Sequence, residues 1–159
     1  TSPNSFFEYI VALDDLNYIQ FTGDYSDLEE LDKADVGAYA AKTWIGLRTL
    51  NEYVRAKVEG ATNAGIQQFL TNPPVGYYVS WPAGKFAAKE SESVERDAVL
   101  RNERIFPVPK VVSPTGEVYM GAHLKIGVKL RAHFLDDVAN SGKIYLGYIG
   151  NHLRTVSTN

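Results

Sequence analysis

The chain has 159 residues, 45% of them hydrophobic and 12% aromatic, which is enough apolar side chain for one core and excludes a disordered chain. It has no cysteine, which excludes disulfides, thiolate zinc sites and cysteine nucleophiles and favours the cytoplasm. A formal net charge of −3 excludes a global electrostatic pull toward nucleic acid or anionic lipid, and no apolar run approaches the roughly 18 residues that cross a bilayer.

In chain order, Phe6, Tyr9, Val11 and Leu13, then Tyr18, Ile19 and Phe21, flank the turn-forming Asp14-Asp15-Leu16-Asn17 and predict an aromatic β-hairpin. Asp27 to Leu31 reads as a short helical turn with Asp27 at its N-cap. From Val36 to Glu59 the residues Val36, Ala40, Trp44, Leu47, Leu50, Val54 and Val58 fall three or four apart and draw a stripe down one face. That spacing predicts a long amphipathic helix, with Asp35 as its N-cap and Gly60 as its stop. A second short helix is expected over Ala64 to Leu70, capped by Asn63 and ended by Asn72-Pro73-Pro74. Gly76 to Trp81 reads as an aromatic strand whose exposed edge offers a route to an oligomer. Lys85 to Arg104 mixes Lys85, Lys89, Arg96, Arg101 and Arg104 with Glu90, Glu92, Glu95, Asp97 and Glu103, so its signs cancel and a surface helix or exposed connector is expected.

Beyond Ile105 the pattern changes to short β-prone runs, Ile105 to Val112, Glu117 to Ile126, Val128 to Leu135 and Lys143 to Ile149, separated by Ser113-Pro114-Thr115-Gly116 and the turn Asp136 to Gly142. They predict a β-meander, with Pro107 and Pro109 holding their segment to an edge for want of ladder donors. Helices precede strands instead of alternating with them, so the expected class is α+β. The expected architecture is one domain over 1–159, with the long helix packed on a mainly antiparallel sheet, a hairpin-and-helix part over 1–75 and a β-rich part over 76–159.

Phosphate-cradling loops, the Gly-x-Ser-x-Gly elbow and the His-Glu-x-x-His helix are all missing. What remains is an internal echo. Gly116-Glu117-Val118-Tyr119-Met120-Gly121 and Gly142-Lys143-Ile144-Tyr145-Leu146-Gly147 share one form, and they run on to His123-Leu124-Lys125 and His152-Leu153-Arg154. Residues two apart on a strand share a face, so each imidazole is expected beside a cation. Arg131-Ala132-His133 repeats the pairing in reverse order. Such a set suits metal-independent phosphodiester cleavage, in which His123 and His152 serve as base and acid while Lys125 and Arg154 steady the charge developing on phosphorus.

A metal is the other use of histidine, with Asp136 and Asp137 following His133, but local backbone bonding explains that turn and neither a metal nor a cofactor is expected. The last third is net basic inside an acidic chain. The leading expectation is therefore a non-enzymatic binding module whose C-terminal sheet meets nucleic acid or an acidic protein through Arg131, His133, Lys143, Tyr119 and Tyr145. A phosphodiesterase or ribonuclease built on the His123/His152 pair is the alternative, and a structural subunit of an assembly is the second alternative.

Overall fold

The computed structural model describes residues 5, 6, 8, 12–34 and 38–158. Its elements run β1 (Ile19–Phe21), α1 (Tyr25–Ala34), α2 (Ala38–Val58), α3 (Ile66–Thr71), β2 (Phe86–Ala87), α4 (Glu92–Arg96), α5 (Ala98–Asn102), β3 (Ile105–Pro107), β4 (Glu117–Tyr119), β5 (His123–Ile126), β6 (Leu130–Asp136), α6 (Val138–Ser141) and β7 (Ile144–Asn151). Five strands form the main sheet in the order β1-β7-β6-β5-β2, and β3 pairs with β4 in a separate ribbon. Among the described residues only β1 and β7 are parallel and every other ladder is antiparallel, which makes this an α+β fold.

The apolar stripe becomes the long helix α2, which buries Ala40, Leu47, Leu50 and Val54 as the spacing requires. Trp44 is only partly buried and Val58 lies open, while Asp35 and Val36 fall outside the described residues. The helix stops where Gly60 takes φ +76. There the Ala61 N–H donates to the Ala56 carbonyl and the Gly60 N–H to the Lys57 carbonyl, the paired bonds of a Schellman ending. Leu47, Leu50 and Val54 share a core with Leu124, Ile126, Ala132, Phe134, Ile144, Leu146 and Ile149 from one face of the sheet. Helix and sheet approach closely at Gly46, where a Cβ would stand 2.7 Å from Leu124 Cδ1.

The ribbon β3–β4 covers part of the opposite face, closing a smaller core of Val108, Met120 and Tyr145 with Phe106, Val118 and Leu135 around it. A bulge in β7 makes room for it. His133 pairs with Tyr148 but Phe134 pairs with Leu146, so Gly147 is left without a partner. Met120 Sδ and Phe106 Cβ would lie 2.6 and 2.7 Å from a Cβ at Gly147, so the ribbon rests directly on bare backbone there. The next residue, Tyr148, stacks on Phe106 with ring centroids 5.5 Å apart.

Three local expectations are corrected and a fourth is narrowed. Among the described residues no N-terminal hairpin is seen: Leu13–Asp15 is a 3-10 turn and β1 joins the parallel edge of β7, with Ile19 opposite Ile144. A lone two-stranded hairpin is marginal, whereas pairing with β7 buries Ile19 in the main core; Tyr9 and Val11 lie outside the described residues. Helix α1 starts before Asp27, at Tyr25, because Asp24 accepts the Ser26 N–H and acts as its cap. Residues 76–81 form no strand. The Tyr78 N–H donates to Glu52 and the Ser80 N–H to Thr49 Oγ1, while Arg48 and Arg55 lie over the rings of Tyr78 and Tyr77. Two of its backbone donors are thus taken by side chains of α2, which ties the strap to that helix and not to a strand ladder. The charged segment ending at Arg104 is helical and largely at the surface, as expected, but it is not wholly solvated. It folds into α4 and α5, capped by Ser91 and Asp97, and buries Val94, Leu100 and Arg104. Among the described residues no helix is long and apolar enough to cross a membrane.

Candidate functional site: a histidine pair with a glutamate and a buried arginine

Alternation along β5 sends Leu124 and Ile126 into the main core and His123 and Lys125 to the other face. The antiparallel register sets His123 opposite His133 and Lys125 opposite Arg131. The two imidazole rings stand 4.8 Å apart, and both residues are buried. Each ring is fixed by the link between β4 and β5, with His123 Nδ1 2.8 Å from the Gly121 carbonyl and His133 Nδ1 2.9 Å from the Met120 carbonyl. A carbonyl only accepts, so both protons sit on Nδ1 and both lone pairs on Nε2.

Glu90 and Arg104 complete the cluster. Asp97 caps α5 at the Val99 and Leu100 N–H groups, Leu100 enters the core, and Arg104, four residues on, follows it inward. Arg104 is fully buried and each end of its guanidinium is matched. Nε donates to Glu90 Oε2, Nη1 to the Leu100 carbonyl at 2.9 Å, and Nη2 to the Arg154 carbonyl at 2.8 Å. The other carboxylate oxygen of Glu90 lies 3.9 Å from His123 Nδ1. Arg131 is less well served. Its Nη1 donates to the Gly127 and Leu130 carbonyls, but its Nε is buried without a partner among the described residues.

Burial and surrounding positive charge keep both histidines neutral. His133 is pushed down to about 3, first by burial and then by the charges of His123, Arg104 and His152, against the opposing bond to Met120. His123 is also lowered, chiefly by burial, with Arg131 and Lys125 adding to the effect and the Gly121 bond and Glu90 opposing it. The unfolded chain protonates these groups near 6.5 and the folded one does so only at lower pH, so their contribution to stability is complete above about 6.5 and declines below it. In EDTA, the thermal midpoint is expected to drop progressively as the pH falls from about 6.5 toward the His133 value. Melts of His133→Gln should show a shallower acid slope, whereas His152→Ala, at an exposed position, should keep the wild-type slope.

The other residues singled out by sequence do not converge. His152 is exposed past the end of β7, with its N–H on the Lys129 carbonyl. Strand β6 separates it from β5, and at about 4.8 Å per strand and 3.3 Å per residue it stands roughly 15 Å from His123, too far for the two to share one phosphodiester. His123 meets His133 instead. Arg154 is exposed and paired with Glu103. Tyr119 donates to Glu95 beneath Arg101, and its hydroxyl is pushed up to about 12, chiefly by burial. Tyr145 is buried, and Lys143 precedes β7, at the opposite end of that strand from His152. Asp136 accepts the Tyr53 hydroxyl and Asp137 accepts from Asn140, so neither is committed to His133.

Sequence reasoning missed Glu90 and Arg104, whose only sequence signal is the four-residue spacing from Leu100 to Arg104. Compared with protein-family models, curated proteins and solved structures, the chain shows no match.

Proposed function

We propose that the chain is a non-enzymatic binding module that takes a nucleic acid on the basic end of its sheet. The observation that carries this reading is the gathering of Lys125, Lys129 and Arg131 around the turn between β5 and β6, with no carboxylate in ion-pair distance of any of them among the described residues. Lys129 and the adjacent Val128 are exposed, and His152 follows directly on the same side through its bond to Lys129. Unpaired cations on a rigid cross-strand scaffold suit phosphates spaced along a backbone. The buried histidines speak against a hydrolase, since a general base must reach its proton within hydrogen-bond distance.

Fluorescence titration with single- and double-stranded oligonucleotides at low salt tests this. Binding should weaken with salt at a log–log slope of about −3 on duplex, as three released counterions require. Lys125→Ala with Lys129→Ala should reduce both the affinity and that slope, while Arg154→Ala, already paired with Glu103, should change little. An absence of saturable binding to either nucleic acid discards this partner and leaves an acidic protein as the class to test at the same cations.

A further inference from the structure

We propose that Glu90, His123 and His133 form a transition-metal site. Each offers one ligand atom, and these atoms lie within 4.8 Å of one another. The three come from fixed places in the fold: the histidines face each other across the β5–β6 ladder, and Glu90 precedes α4. Of the chain's three histidines, the fold has brought two buried ones together with a partly buried carboxylate.

The surroundings of the three ligands are those a metal site needs. Main-chain carbonyls take the Nδ1 protons and set ring orientation, which leaves Nε2 as the ligating nitrogen of each imidazole. Neither Nε2 has a hydrogen-bond partner among the described residues. Arg104 grips Oε2 of Glu90 and leaves Oε1 outside that ion pair.

Nitrogen–metal bonds of about 2.0–2.1 Å place tetrahedral ligand atoms about 3.3 Å apart, so the side chains must draw together when an ion binds. Glu90 supplies most of that movement, turning Oε1 from the Nδ1 side of His123 onto the ion, because the histidines are pinned in the sheet. One carboxylate already shared with Arg104, with Arg131 nearby, disfavours hard cations that need several oxygens. Two imidazoles favour zinc, cobalt or nickel over magnesium or calcium.

The test uses the whole chain stripped with EDTA and then dialysed against Zn²⁺, Co²⁺, Ni²⁺, Mg²⁺ or Ca²⁺. The expected result is one Zn²⁺, Co²⁺ or Ni²⁺ per chain, no retained Mg²⁺ or Ca²⁺, and a raised thermal midpoint with Zn²⁺. His123→Gln and His133→Gln should each weaken Zn²⁺ at least ~10-fold, and His152→Ala should bind as wild type. Circular dichroism reports whether the buried variants fold. If they do not, the visible spectrum of Co²⁺ on the wild-type chain decides, nitrogen-ligated bands supporting the site and the spectrum of the aqueous ion overturning it. Absence of stoichiometric uptake by the folded wild type, or uptake that survives His123→Gln and is lost in His152→Ala, also overturns it.

Discussion

Replacing Arg104 with Ala is expected to destabilise the fold by about 3–5 kcal/mol, the range for removing one partner of a buried ion pair. The loss has two sources. Oε2 of Glu90 loses the guanidinium that it accepts from. The carbonyls of Leu100 and Arg154 lose their donors, which unties α5 from the C-terminal segment. Arg154→Ala is the comparison, because it removes an arginine whose ion pair with Glu103 is open to water and screened by it, so its loss should be much the smaller. Urea unfolding of both variants measures the difference. Equal losses would mean that Arg104 is as solvated as Arg154. Replacing Arg104 and Glu90 together with Met should recover much of the loss, since an apolar pair leaves no uncompensated charge.

The elements legible in the sequence were those whose cause is local. The three-to-four spacing from Ala40 to Val54 needs only a helix and a sheet to face, and Gly60 ends that helix for a reason contained in one residue. The short β-prone runs and the turn residues between them marked the meander of β5, β6 and β7 in the same way. Errors fell where a distant partner decides. β1 is a strand because β7, more than a hundred residues later, offers it an edge. Residues 76–81 have strand-like composition, but Glu52 and Thr49 of α2 take their N–H groups. The candidate site divides along the same line. A histidine beside a cation at i and i+2 is visible in the sequence, but His123 opposite His133 depends on ladder register, and the burial of Arg104 depends on Glu90 and two carbonyls from other elements.

The two faces of the sheet explain why chemistry concentrates on one of them. Toward α2 the strands offer Leu124, Ile126, Ala132 and Phe134, and the helix seals them without a polar group in need of a partner. Toward the ribbon the same strands offer His123, Lys125, Arg131 and His133, and the covering elements must answer each one. Carbonyls of the β4–β5 link answer the histidines, and the Glu90–Arg104 pair closes the edge. Lys125 and Arg131, opposite each other at the β5–β6 turn end of the ladder, have no carboxylate in ion-pair distance among the described residues, and the buried Nε of Arg131 has no partner there. The basic end and the histidine cluster are thus two parts of one ladder, the histidines at one end of it and the cations at the other.

Leu47→Ala is expected to cost about 2–5 kcal/mol, a large share of the 5–15 kcal/mol that holds a domain of this size. Leu47 is fully buried in the middle of α2, in the same core as Leu50, Val54 and the apolar residues of β5 to β7. Its neighbour Gly46 sits against Leu124 and Trp81, so the helix is already as close to the sheet as the side chains allow. Little collapse can therefore fill the space left by the lost atoms, which puts the cost in the upper half of the range. Trp44 belongs to the same stripe by spacing but is only partly buried. Trp44→Ala removes more atoms and should nevertheless cost less, because part of the indole is already in water and the vacated space opens to solvent. Urea midpoints for the two variants at equal m-value test the ranking. If Trp44→Ala proves the more damaging, then α2 is rotated about its axis, with the face bearing Trp44 against the sheet instead of the face bearing Leu47.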